Sequence, residues 1–174
     1  PSGPATEPGS LAAGLAEARP AEADIPVATR LSDHTILVGY GRVGSLVGKA
    51  LREAGLPFLV IEDGDKTLQR LHADGVETVS GNAASAGVFA LANAAGAKRL
   101  VLAIPNAFEA GQIILRARAA NPGIAVIARA HSDDEVDHLK KLGADTVIMG
   151  EREIARGIIE KVVGEPDTGG SIAA

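Results

Sequence analysis

The sequence predicts an α/β fold, a Rossmann-like, doubly wound parallel sheet of six strands in the order 3-2-1-4-5-6. Three observations carry this expectation. Short runs rich in Val, Ile and Leu recur, with helix-period segments between them. The chain is 46% hydrophobic but only 2% aromatic, so its core must be Val, Ile, Leu and Ala, which suits a parallel sheet covered by helices. A glycine cluster, Gly39-Tyr40-Gly41-Arg42-Val43-Gly44, sits where the first strand meets the first helix.

His34–Gly39 is the first β-rich apolar run. In Arg42–Ala54 the apolar residues Val43, Leu46, Val47, Ala50, Leu51 and Ala54 fall on one helical face, and Gly55 stops the helix. Phe58–Glu62 is the second strand and Lys66–Asp74 the second helix, stopped by Gly75. Glu77–Ser80 is the third strand, followed by an Ala-rich helix over Ser85–Ala95 that Gly96 closes. Arg99–Ile104 is the fourth strand, broken at Pro105, and Ala107–Ala120 the next helix, ended by Asn121-Pro122. Ile124–Ala128 is the fifth strand. Ser132–Leu142 is a helix, with Ser132 and Glu135 spaced as a capping box. Asp145–Met149 is the sixth strand and Glu151–Val163 the last helix. Parallel strands joined this way need right-handed crossovers.

The 174 residues suffice for one domain with a real core. Residues 1–31, punctuated by Pro1, Pro4, Pro8, Pro20 and Pro26, read as a flexible leader with a short helix near Leu11–Arg19. Residues 32–163 form the domain, and 164–174 read as a disordered tail. No cysteine is present, which excludes disulfides and thiolate metal sites. A net charge of -5 argues against nucleic acid as the partner. No apolar run approaches the length of a membrane span, and no signal peptide is visible, so the expectation is a soluble piece.

The glycine cluster matches G-x-G-x-x-G, a weak signal by itself. Here it follows a strand, opens a helix, and is answered by the acid Glu62 about 20 residues further on, at the end of the second strand. Gly39 allows the tight turn, Gly41 lets a pyrophosphate approach the backbone, and Gly44 lets the helix pack close to the sheet. Arg42 can reach a phosphate, and the first-turn N–H groups favour one. Glu62, with Asp63 beside it, can accept ribose hydroxyls, and its charge would repel a 2′-phosphate. The expected ligand is an adenine nucleotide.

Loops at the carboxyl ends of the other strands should line the same crevice. They are Gly81-Asn82-Ala83, Ile104-Pro105-Asn106, and Arg129 after the fifth strand. Each has a plainer reading: turn formation at Gly81-Asn82, a helix N-cap at Asn106, and a carboxylate partner for Arg129. The acidic run from His131 to His138 reads as a helix start favoured by the dipole rather than as a metal site. In the last helix Ile154, Ala155, Ile158, Ile159, Val162 and Val163 form a wide apolar band. One face is expected to cover the sheet and the surplus to meet a partner chain.

From His34 to Val163 the chain resembles the RCK N-terminal (TrkA-N, KTN) domains, most of all the cytoplasmic domain of Kef-type and YbaL-type potassium:proton antiporters. The segments that carry this are Ile36–Gly44, Val60–Glu62, Gly81–Ala83, Ile104–Asn106, Ile127–Ala130 and Met149–Ala155. The resemblance implies a regulatory sensor, not an enzyme. It would bind NAD(H), AMP or ATP, form a homodimer, and act on a membrane-embedded transport domain at the cytoplasmic face of the bacterial inner membrane. Many members carry Asp where this chain has Glu62 and Asn82. Arg42 and Arg129 match the positions of two arginines that contact glutathione conjugates in the Kef branch. The alternative is a nicotinamide-dependent oxidoreductase or its cofactor-binding fragment, for which no catalytic group is assignable.

Overall fold

A computed structural model describes residues 27–164. The expected helix near Leu11–Arg19, the leader up to residue 26 and the tail from residue 165 lie outside the described residues. The strands are β1 (Thr35–Val38), β2 (Phe58–Glu62), β3 (Thr78–Ser80), β4 (Arg99–Leu102), β5 (Ala125–Ala130) and β6 (Thr146–Met149). The helices are α1 (Arg42–Glu53), α2 (Asp65–Ala73), α3 (Ala86–Leu91), α4 (Ala107–Ala120), α5 (Asp133–Lys141) and α6 (Gly150–Val163). The six strands form one parallel sheet in the order β3-β2-β1-β4-β5-β6, as the sequence predicts.

Two apolar clusters sandwich the sheet. On one side Ile36, Val38, Leu59, Ile61, Leu100 and Leu102 meet α3, α4 and α5 through Phe89, Ile113, Ile114, Val136 and Leu139. On the other side Leu37 and Val60 meet Leu71, with Tyr40 and Val47 packed against them. This second cover stops short. Along β5 the residues alternate between buried and partly open, and Ile148 of β6 is 46% exposed.

Three elements differ from expectation. The Ala-rich stretch 85–95 is not one helix. It breaks at Asn93, which takes a left-handed backbone (φ 49°) between α3 and a 3-10 turn at Ala94–Gly96. Side-chain amides satisfy groups near the break. Asn93 Nδ2 donates to Leu31 O, and Asn121 Nδ2 donates to the carbonyls of Ala94 and Ala97 at 3.2 and 3.0 Å. A run of alanines has too little amphipathic contrast to hold a helix against such competition. β5 extends to Ala130, so Arg129 lies inside the strand, paired in register with Ile148, rather than after it. The last helix does not cover the sheet: none of its residues is buried. Among the described residues no helix is long and apolar enough to cross a membrane.

Ser132 caps α5, its Oγ accepting from Glu135 N at 3.3 Å. The reciprocal bond of the expected capping box goes one residue earlier, where Glu135 Oε2 accepts from His131 N at 2.7 Å. Acids fill the first turn of α5, with His138, Lys140 and Lys141 in its last, the distribution the helix dipole favours.

Candidate functional site

In-register pairing sets the strand ends side by side. Val38 lies beside Ile61 and Leu102, and Glu62 beside Ser80. The loops that follow therefore converge at the switch point, where β1 sends its neighbours in opposite directions. They enclose a crevice of about 780 Å3, inside the range of small-molecule sites.

The glycine loop builds one wall. Gly39 turns the chain off β1 with φ 84°, a region that disfavours side chains. At Gly44 a Cβ would lie 2.0 Å from Gly39 O, so only glycine lets α1 start this close to the turn. Gly41 is different: a Cβ there would meet nothing within 4 Å. The fold does not need glycine at this position, whereas an approaching ligand would. Gly41 is also the N-cap of α1 and offers no side-chain acceptor, so first-turn N–H groups remain for a ligand or water.

Glu62 is held by the backbone of two loops. Its Oε2 accepts from Tyr40 N at 2.8 Å, and its Oε1 accepts from Asp63 N and Gly64 N, both at 3.0 Å. The carboxylate thus ties the glycine loop to the β2–α2 turn. Burial pushes its pKa up, but the N–H groups of Tyr40, Gly64 and Asp63 outweigh this and hold it below the ordinary glutamate value. Of the roughly four lone-pair sites on a carboxylate, three are taken and one on Oε2 is left for a hydroxyl.

Nearly every residue expected at the site lines this crevice: Gly39, Tyr40, Gly41, Arg42, Val43, Glu62, Asp63, Gly81, Asn82, Ala83, Ile104, Pro105, Asn106 and Arg129. Gly44 does not; it acts through helix packing. Tyr40 contributes backbone, because its ring packs over Gly48 of α1. The plainer readings of two loops also hold. Asn82 Oδ1 accepts from Ala84 N at 2.6 Å, and Asn106 Oδ1 caps α4 by accepting from Glu109 N at 3.0 Å. In both, the amide nitrogen is left for another partner.

Arg129 has no carboxylate within ion-pair distance among the described residues. Its Nη2 lies 3.3 Å from His131 Nε2 instead, which corrects the expectation of a carboxylate partner. A guanidinium cannot accept, so the imidazole is the acceptor there. Sequence reasoning did not place Glu109, His131, Glu151 or Ile154 in the crevice. Glu109 sits one turn beyond Asn106, and the start of α6 brings in Glu151 and Ile154. Among the described residues no three His, Asp or Glu side chains gather as metal ligands.

The TrkA-N domain model matches residues 35–150. The chain is 49% identical over 146 residues, 84% of its length, to the Escherichia coli protein named cation/proton antiporter YbaL, of which it spans 26%. The crystal structure of the TrkA-N domain of the inner membrane protein ybaL superposes with a TM-score of 0.75 at 48% identity, covering 77% of this chain and 99% of that one. Potassium channel protein 1 of Methanocaldococcus jannaschii is 32% identical over 133 residues, covering 73% of this chain and 40% of the channel protein. The Shewanella denitrificans Kef CTD in AMP-bound form shares the fold (TM-score 0.64, 24% identity), covering 76% of this chain and 82% of that one.

Proposed function

This chain belongs to the TrkA-N domain family, and on that premise we propose that it is the nucleotide-sensing regulatory domain of a bacterial potassium-type cation:proton antiporter. It spans only about a quarter of the antiporter it matches, so the transport half of the reading comes from that relative. The observation that carries the sensor half is the crevice. It joins an open glycine cradle at Gly41 to a Glu62 carboxylate with one acceptor site left.

The ligand is an adenine nucleotide: NAD(H), AMP or ATP. Its phosphates lie against Gly41 and the first turn of α1, with Arg42 and Arg129 as counter-charges. A ribose hydroxyl donates to Glu62 Oε2. The same charge disfavours a 2′-phosphate, so NADPH binds less well than NADH. The Kef domain with AMP bound supports this class of ligand.

Regulation works through differential affinity. The protein has two arrangements, the nucleotide prefers one, and its binding shifts the transporter toward the state coupled to that arrangement. The two arrangements are those of a homodimer. The partly open sheet face at Val101, Ile127 and Ile148, together with the exposed α6, leaves apolar surface that a second copy would cover. Because α6 also lines the crevice at Glu151 and Ile154, a shift of α6 reaches the bound nucleotide directly.

The test is a binding titration of AMP, ATP, NADH and NADPH against the wild-type chain and Glu62→Ala. Saturable binding of one of the first three, weaker for NADPH and lost with Glu62→Ala, is the expected result. Equal binding of NADPH would remove the assigned role of Glu62.

A further inference from the structure

A second cavity, of about 400 Å3, lies behind the glycine loop between α1 and α2. Arg42 and Ser45 line it from α1, Thr67 and Arg70 from α2, Asp74 from the C-cap of α2, and Tyr40 from the loop between the two cavities. Buried Leu71 forms its apolar floor.

Its chemistry is uneven. Two arginines, Arg42 and Arg70, line it with a single acid, Asp74, and neither arginine is within ion-pair distance of any acid among the described residues. Asp74, the residue that ends α2, lies four positions after Arg70, yet the two do not pair. Arg70 Nη2 turns back instead to Thr67 Oγ1 at 3.5 Å, a bond at the limit of hydrogen-bond length. That leaves the Thr67 proton free to donate. Ser45 Oγ donates to Arg42 O at 3.2 Å and can rotate to another acceptor. The Tyr40 phenol has no hydrogen-bond partner among the described residues. Two forked cations and rotatable hydroxyls in a concave space are the donor set that a phosphate group takes.

We propose that this cavity is a second ligand site that binds the phosphate group of a small phosphorylated metabolite or inorganic phosphate itself. Tyr40, Gly41 and Arg42 line both cavities. The Arg42 guanidinium serves one anion at a time, so phosphate here weakens nucleotide binding in the crevice, and the nucleotide weakens phosphate binding by the same factor. The coupling rests on the nucleotide reading; the phosphate site itself does not.

The experiment uses the 15N-labelled chain without nucleotide, with chloride replaced by phosphate at constant ionic strength. Amide shifts are followed at Ser45, Thr67 and Arg70, in wild type and in two variants. Saturable shifts are expected. Arg70→Gln should weaken them about tenfold or more, the loss of one charge-assisted hydrogen bond, while Arg129→Gln, which touches only the crevice, leaves them unchanged. Arg70 is exposed, so its variant keeps the fold, and the spectrum itself reports that. Glycerol phosphate in a parallel titration separates the sources: tighter binding than inorganic phosphate identifies a metabolite, and equal or weaker binding identifies the free ion. The site is overturned if no saturable shift occurs, if Arg70→Gln has no effect, or if Arg129→Gln removes the shifts as well. The coupling is overturned if saturating phosphate leaves the affinity for AMP unchanged.

Discussion

At the scale of single residues Glu62 ties two loops together and keeps one acceptor site free. Three N–H groups from two loops converge on its carboxylate. Glu62→Ala strands those donors, and hydrogen bonds to charged acceptors make the expected cost about 1–3 kcal/mol at neutral pH, read by urea unfolding. The pH dependence follows from the sign of the shift. The folded carboxyl titrates below its ordinary value, so its contribution is complete above the unfolded glutamate pKa. It is lost as pH falls through the lower folded pKa. Unfolding curves of wild type and Glu62→Gln should therefore converge toward pH 3 and separate above pH 5, around the ordinary glutamate pKa of about 4.3. A constant gap across that range would remove the charge from the explanation. That Glu62 faces the glycine motif was legible in the sequence from its place at the end of β2. Its bond to Tyr40 N was not, because it depends on how two loops distant in sequence fold toward each other.

At the scale of elements, α1 separates fold from function. Gly44→Ala forces a Cβ into the Gly39 carbonyl, and overpacking of this kind costs about 1–3 kcal/mol or more. Gly41→Val meets no protein atom at Cβ, so it should leave the melting temperature of the free chain nearly unchanged while filling the space a phosphate needs. A large loss of stability in Gly41→Val would show that this glycine serves the fold. Arg118 is the contrasting case, a structural residue far from the crevice. Its guanidinium donates to Gly143 O, Pro122 O and Ile124 O and pairs with Asp145 at 2.7 Å, tying the end of α4 to the segment leading into β5 and to the α5–β6 turn. Asp145 is held below its usual pKa first by the Val126 N–H and then by Arg118. Arg118→Ala should cost about 2–3 kcal/mol, because several carbonyls lose a charged donor, with nucleotide binding preserved. The strands and most helices were legible because alternating βα segments carry strong periodicity. The helix over 85–95 was misread because alanines carry none.

At the scale of the whole molecule, surplus apolar surface was legible in the sequence, and what covers it was not. The width of the apolar band on the last helix signalled surplus surface. The structure goes further: Ile154, Ile158 and Val162 are all more than half exposed, and the sheet face beside them is partly open. Periodicity reports that a face is apolar, not what covers it. Ile158→Glu should shift the chain from dimer to monomer in sedimentation without lowering its helix content; a monomeric wild type would contradict the homodimer. Nucleotide binding at the switch point is decided by thermal unfolding with AMP, ATP and NADH, in wild type and Gly41→Val. A ligand at about 100 times its dissociation constant adds roughly 2.7 kcal/mol. The expected result is a raised melting temperature in wild type with at least one of them, and no rise in Gly41→Val. A wild-type transition that no nucleotide moves, or a shift that survives Gly41→Val unchanged, would contradict it.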